Sequence, residues 1–232
     1  MLMNPQNLPA VLHELRARMA RAAAVAGRSA QSVTLLAAGK AQKPELLAAA
    51  AECGVTDFGE SYLQEALAKI AALRSHALTW HFIGRIQSNK TGPIAETFTW
   101  VHALDRLKVA ERLAAQRPHY APPLNVCLQV NIAAEATKGG VTPAGLPALA
   151  AAVASLPHLA LRGLMCIPPE ETEPARQRAW FGRLRVLRDE LNAAGHSLDT
   201  LSMGMSADFE AAIQEGATIV RLGTILFGAR PP

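Results

Sequence analysis

Aromatic side chains are scarce in this chain of 232 residues, which has two Tyr, three Trp and six Phe. Cysteine is scarcer still: Cys53, Cys127 and Cys166 are an odd number at wide spacing. That pattern suits neither a disulfide framework nor a zinc site, and it is read as three reduced thiols in a cytoplasmic setting. The seven His are dispersed, and none falls in a metal-ligand spacing. No uninterrupted apolar run reaches the length of a membrane span. Lys and Arg exceed Asp and Glu by four, but they form no run that reads as a nucleic-acid or membrane footprint. The N-terminal segment lacks the continuous apolar stretch of a secretion signal, because His13, Glu14, Arg16, Arg18 and Arg21 interrupt it. No Gly/Ser/Pro linker and no low-complexity stretch divides the chain, so residues 1–232 are expected to form one domain.

Half of the residues are apolar, and alanine dominates them, which suits helices packed closely on a sheet. Leu8, Val11, Leu12, Leu15 and Met19 recur at helical spacing, predicting a leading helix over about residues 5–27. From about 32 to 230 short apolar runs alternate with helical stretches. "SVTLLAAG", "TDFGE", "TWHFIG", "WVHALD", "LNVCLQVNI", "LALRGLMCI", "DTLSMG" and "TIVRLGTILFG" read as eight strands. Helices are expected at Pro44–Cys53, Tyr62–Leu73, Leu107–Gln116, Pro174–Ala194 and Ala207–Glu215, with Ser88 and Thr142 as N-caps of two more. Continuous apolar strands alternating with helices indicate a parallel sheet covered on both faces. A doubly wound open sheet is the alternative; eight regular units in this length favour a closed (β/α)₈ (TIM) barrel with an extra N-terminal helix.

Functional residues of such barrels lie at the C-terminal ends of the strands. Lys40 directly follows the first strand, where a desolvated amine is a nucleophile toward an aldehyde; a surface loop lysine is the plainer reading. After strand seven, "SMGMSADF" sets Ser202, Met203, Gly204 and Ser206 ahead of a helix. After strand eight come Gly223 and Thr224. Glycines let backbone N–H groups approach an anion, hydroxyls add donors, and these two loops are where the fold binds phosphate. Arg221 stands within the apolar eighth strand, where it needs a partner: a structural ion pair, or the ring nitrogen of a cofactor. An aldehyde-accepting lysine, a double phosphate loop and Arg221 together describe a site for pyridoxal 5′-phosphate (PLP).

The segments "DFGESYLQEAL" from Asp57, "WHFIGRIQSNK" from Trp80, "LNVCLQVNIAAEATKGGV" from Leu124, "LRGLMCIPP" from Leu161 and "LSMGMSADFEAAIQEGATIVRLGTILFG" from Leu201 resemble the pyridoxal phosphate homeostasis protein family. The resemblance implies the barrel of the alanine racemase N-terminal domain. It implies PLP held as a Schiff base on Lys40, its phosphate on Ser206, Gly223, Thr224 and the Ser202–Met205 loop, and its pyridine nitrogen on Arg221. It implies a role in buffering or delivering PLP, with no established reaction of its own. PLP-dependent apo-enzymes are then candidate recipients, and the protein is expected to be cytoplasmic, as a monomer or weak homodimer, with neither nucleic acid nor membrane as partner. Two positions depart from the pattern, and a third, Lys138, matches a lysine common in the family after the fifth strand. "AAGKAQKP" has Gly39 before the lysine and its proline displaced to Pro44; Ser61 replaces the family's Asn; and Lys138 is a candidate second PLP acceptor.

A PLP-dependent amino-acid racemase is the main competing reading. In racemases of this resemblance a tyrosine from a further domain serves as second base. Tyr62 and Tyr120 were the two tyrosines available here, and neither is an obvious substitute. A phosphosugar-type barrel enzyme leaves Arg221 unexplained, and a binding scaffold rests only on the mild basic excess.

Overall fold

Each apolar run forms a strand only as far as its side chains find cover, so the strands are shorter than the runs. In the computed structural model, which describes residues 7–135 and 137–228, helix α1 (Leu8–Val25) precedes eight strand–helix units. These are β1 (Thr34–Ala38) and α2 (Pro44–Glu52), β2 (Asp57–Glu60) and α3 (Leu63–Ala72), β3 (Thr79–Phe82) and α4 (Thr91–Thr97), β4 (Trp100–Leu104) and α5 (Leu107–Gln116). There follow β5 (Leu124–Gln129) and α6 (Leu146–Ala154), β6 (Leu159–Met165) and α7 (Pro174–Ala193), β7 (Thr200–Ser202) and α8 (Phe209–Gln214), β8 (Ile219–Leu222) and α9 (Thr224–Phe227). The strands pair in sequence order, and β8 closes on β1 in parallel with Leu36 opposite Arg221. The open sheet is therefore excluded.

The main core lies between strands and helices. Phe58, Phe98, Phe181, Phe209 and Phe227 are buried in it, and α1 adds Leu8, Leu12, Leu15 and Met19. Fully burying each such side chain is worth about 1.5–3 kcal/mol, which is why few aromatics suffice. Inside the barrel the apolar filling is small, a cluster of Ala103, Cys127 and Met165 against Trp100. Leu36 and Ile83 meet over Gly59 in the same space, and polar side chains share the interior with them.

Four expectations about elements are corrected. "TIVRLGTILFG" is not one strand, because β8 ends at Leu222 and Thr224–Phe227 turns into α9 behind Gly223. Ser88 does not cap a helix; it opens a 3₁₀ turn, Ser88–Lys90, whose N-cap is Gln87. Thr142 does cap, accepting from Gly145 N–H at 3.2 Å, but the turn it caps is a 3₁₀ turn, Pro143–Gly145, that leads into α6. Helix α8 starts at Phe209 rather than Ala207. The proposed start of the first helix at residue 5 and the end of the barrel at 230 lie outside the described residues.

Candidate functional site

Strand β1 delivers Lys40 to the C-terminal rim, and two charged groups grip the backbone on either side of it. Lys69 of α3 donates from Nζ to the Gly39 carbonyl at 2.6 Å. Glu65 of the same helix accepts the Ala41 N–H at 2.7 Å. Ala41 has φ +61°, a left-handed conformation that costs a non-glycine residue about 1–2 kcal/mol, so the turn after Lys40 is held there against its own preference. Lys69 also donates to Glu60 Oε1 at 2.8 Å and pairs with Glu65, and both Lys69 and Glu60 are buried. A Cβ at Gly39 would lie 2.6 Å from Glu60 Oε1, so any other residue here would push the carboxyl aside from the place where Lys69 holds it. Burial pushes the Glu60 carboxyl up to about 7, against the pull of Lys69, and its Oε2 has no hydrogen-bond partner among the described residues.

Lys40 itself is half-buried and lines a mouth cavity of about 590 Å³ with Ser61, Tyr62, Phe82, Ile83 and Ile167. Lys43, the nearest alternative, is exposed and serves as N-cap of α2. Ser61 lies where its carbonyl packs on Gly84, whose Cβ would come within 2.2 Å of that oxygen. Tyr62 was set aside on sequence, yet it stands in this cavity, 62% exposed. Tyr120 lies away from it, in a groove with Pro157 and His158 at the opposite end of the barrel.

The loops after β7 and β8 meet. Ser206 Oγ accepts the Ile225 N–H at 3.2 Å, which ties the first loop to the first turn of α9. Gly223 sits against the end of β1, where a Cβ would lie 3.3 Å from the Ala38 carbonyl oxygen. The expected phosphate residues Ser206, Gly223 and Thr224 thus share the rim with Lys40. Gly204 has φ +95° and a Cβ there would lie 2.6 Å from that of Ala212, so no other residue fits. The Met205 N–H is already taken by Asp208 Oδ1 at 2.6 Å. Met203 is buried, and the Ser202 hydroxyl points into the barrel, 2.7 Å from His102 Nδ1. These two residues support the loop from beneath.

Arg221 is buried, and among the described residues it forms no ion pair with a carboxylate. Its guanidinium donates from Nη1 to the Ser202 carbonyl and hydroxyl at 2.6 and 2.9 Å, and from Nη2 to the Cys166 carbonyl at 2.9 Å. The structural ion pair is therefore not what occupies it. Lys138 pairs with Glu135 at 2.8 Å and donates to the Pro168 carbonyl at 3.1 Å. Sequence reasoning missed Glu60, Lys69, His81 and His102. Their common signal was a polar residue at a buried position, as in "TWHFIG" and "WVHALD". Among the described residues, no three His, Cys, Asp or Glu side chains form a metal-binding group, and no helix is long and apolar enough to cross a membrane.

The chain matches the family model described as alanine racemase, N-terminal domain, over residues 11–231. It is 58% identical over 217 residues to a pyridoxal phosphate homeostasis protein of Pseudomonas aeruginosa, covering 94% of this chain and 93% of that one. It is 47% identical over 222 residues to the protein of the same name from Escherichia coli, covering 94% and 95%. Among solved structures, PipY of Synechococcus elongatus with PLP bound superimposes with a TM-score of 0.83 at 35% identity, covering 95% of this chain and all of that one. An alanine racemase of Corynebacterium glutamicum shares the fold at 18% identity and a TM-score of 0.67, with this chain spanning 62% of it.

Proposed function

Since the chain belongs to the pyridoxal phosphate homeostasis protein family, we propose that it binds PLP and acts in PLP homeostasis as a carrier or buffer, in the cytoplasm. The observation that carries this reading is a lysine at the end of β1 and a buried guanidinium on β8, which among the described residues forms no direct ion pair with a carboxylate, in neighbouring strands of one barrel. When bound, PLP supplies an aldehyde that condenses with an amine and a ring that withdraws electrons. The donor set suits such a molecule. Lys40 would be the amine, Ser206, Thr224 and Gly223 would offer hydroxyl and N–H donors to a dianion, and Arg221 would donate to the ring nitrogen. Arg221 keeps its proton and only donates, so toward a ring nitrogen it would act as a donor and would leave that nitrogen unprotonated.

Phosphate contacts supply much of the affinity in this reading, because several donors converge on one dianion. Titration of purified protein should show PLP binding at least roughly a hundredfold tighter than pyridoxal, a gap of about 2.7 kcal/mol. Ser206→Ala combined with Thr224→Ala should narrow that gap, and equal affinities would remove the phosphate loop from the site.

Racemisation is the second reading, favoured by one observation, Tyr62 in the mouth cavity. Two-base proton exchange needs a group on each face of the substrate within hydrogen-bond reach. Tyr62 is largely solvent-exposed, which leaves its phenol without the fixed placement such a base requires. Holo-protein incubated with L-alanine in deuterated water should therefore keep the amino acid's chirality. Turnover at enzymatic rates, abolished by Lys40→Ala and by Tyr62→Phe, would replace the carrier reading with a racemase.

A further inference from the structure

The interior of a barrel of this type is ordinarily filled by layers of branched apolar side chains. Here a polar file crosses it. Asp57 stands at the start of β2, at the N-terminal end of the barrel, in a groove with Arg16, Gln31 and Thr34. Its Oδ1 lies 3.0 Å from His81 Nε2. His81 Nδ1 lies 2.9 Å from His102 Nε2, and His102 Nδ1 lies 2.7 Å from Ser202 Oγ. Ser202 Oγ in turn meets Arg221 Nη1 at 2.9 Å. Five residues from β2, β3, β4, β7 and β8 thus connect the floor of the barrel to the guanidinium at its mouth.

Acid–base chemistry leaves one arrangement of the protons. Burial works to raise the Asp57 carboxyl, but hydrogen bonds from His81 and Thr56 outweigh it and hold the group below its ordinary value, so it is ionised. A carboxylate only accepts, hence His81 carries its proton on Nε2. Burial drives His81 down and His102 well down, so both rings are neutral at neutral pH. His81 Nδ1 must then accept from His102 Nε2–H, and His102 Nδ1 must accept from the Ser202 hydroxyl. With its proton committed, Ser202 Oγ can only accept from Arg221. Every hydrogen bond in the file points from Arg221 towards Asp57.

We propose that Asp57, His81, His102 and Ser202 form a one-way relay that positions Arg221 to meet the ring nitrogen of bound PLP. The inference rests on the reading of Arg221 given above. Ser202 Oγ, unable to donate to the guanidinium, fixes Nη1, while the Cys166 carbonyl fixes Nη2. The plane of the group is therefore set before a ligand arrives. Asp57 ends the file in a carboxylate reached through two neutral rings, while Asp208, in the loop after β7, supplies the nearer negative charge that acts on Arg221. All four are positioning residues, since none of them needs to touch PLP.

Nitrogen-15 NMR of the histidines in the unloaded wild-type protein tests the direction of the relay. Signals assigned with His81→Gln and His102→Gln should show both rings neutral at pH 7 and protonated on Nε2. A proton on Nδ1 of either ring, or an imidazolium, overturns the relay. The positioning role is read separately on protein loaded with PLP. Asp57→Ala and Ser202→Ala should each shift the visible absorption band and weaken PLP binding roughly tenfold, although neither side chain meets the ligand. An unchanged band and affinity in both variants overturns positioning even where the tautomers are as expected. Wild-type protein that takes up no PLP would instead overturn the reading of the site, and an Arg221→Ala protein that keeps the wild-type band would overturn the role of Arg221 while leaving PLP binding intact.

Discussion

Lys40→Ala protein should lose the visible band of a lysine-bound aldehyde altogether, and borohydride followed by peptide mapping should find no label where wild-type protein carries it on the Lys40 peptide. Lys40 lies at the end of β1 on the mouth cavity, while Lys43 is turned outward at the start of α2 and Lys138 is engaged by Glu135 and the Pro168 carbonyl. Removing Lys40 takes away the covalent link but leaves Ser206, Thr224 and Arg221, so PLP should still bind, at least roughly tenfold more weakly. The melting temperature should change little, because a half-buried lysine at a rim contributes little packing. A label on Lys43 or Lys138 in the wild-type protein would assign the amine to another loop.

The barrel was legible because its strands are continuous apolar runs between helices with ordinary start and stop residues. Leu107–Gln116 emerged with the expected ends, and Pro174 opened α7 as a proline at the first turn should. The eighth run misled because the four residues Thr224–Phe227, three of them apolar, are too few to carry a period that separates helix from strand. The rim residues Lys40, Ser206, Gly223 and Thr224 could be read from their place after strands one, seven and eight. Ser202 could be located but its direction could not, since whether its hydroxyl faces the rim or the interior depends on the pleat of β7. His81 and His102 are 21 residues apart and meet only because β3 and β4 are neighbours. The Lys69–Glu60 contact depends in the same way on how the loop from β2 folds α3 back over the strand.

That last contact should produce a large stability change. Lys69→Met leaves Glu60 buried without its cation, strips the Gly39 carbonyl of its donor and frees Glu65 from one of its two partners. Breaking a buried ion pair from one side costs about 3–5 kcal/mol. The loss should depend on pH in a particular direction. In the wild-type fold Glu60 keeps its proton up to about pH 7, whereas the unfolded chain gives it up near 4.5, so this residue makes stability fall as pH rises across that window. Without Lys69 the carboxyl holds its proton to still higher pH, and the fall continues above 7. Urea unfolding of Lys69→Met should therefore show a deficit that is small near pH 5 and largest near pH 8. Glu60→Gln in the same chain should restore most of it, because the amide is neutral and can donate to the Gly39 carbonyl. A deficit independent of pH, or undiminished in the double variant, would mean that Lys69 acts by packing alone. Lys69→Met also frees Glu65, on which the left-handed backbone at Ala41 rests, so the rate at which PLP is taken up by Lys40 should fall in that variant and stay low when Glu60→Gln is added, since the amide does not restore the partner of Glu65.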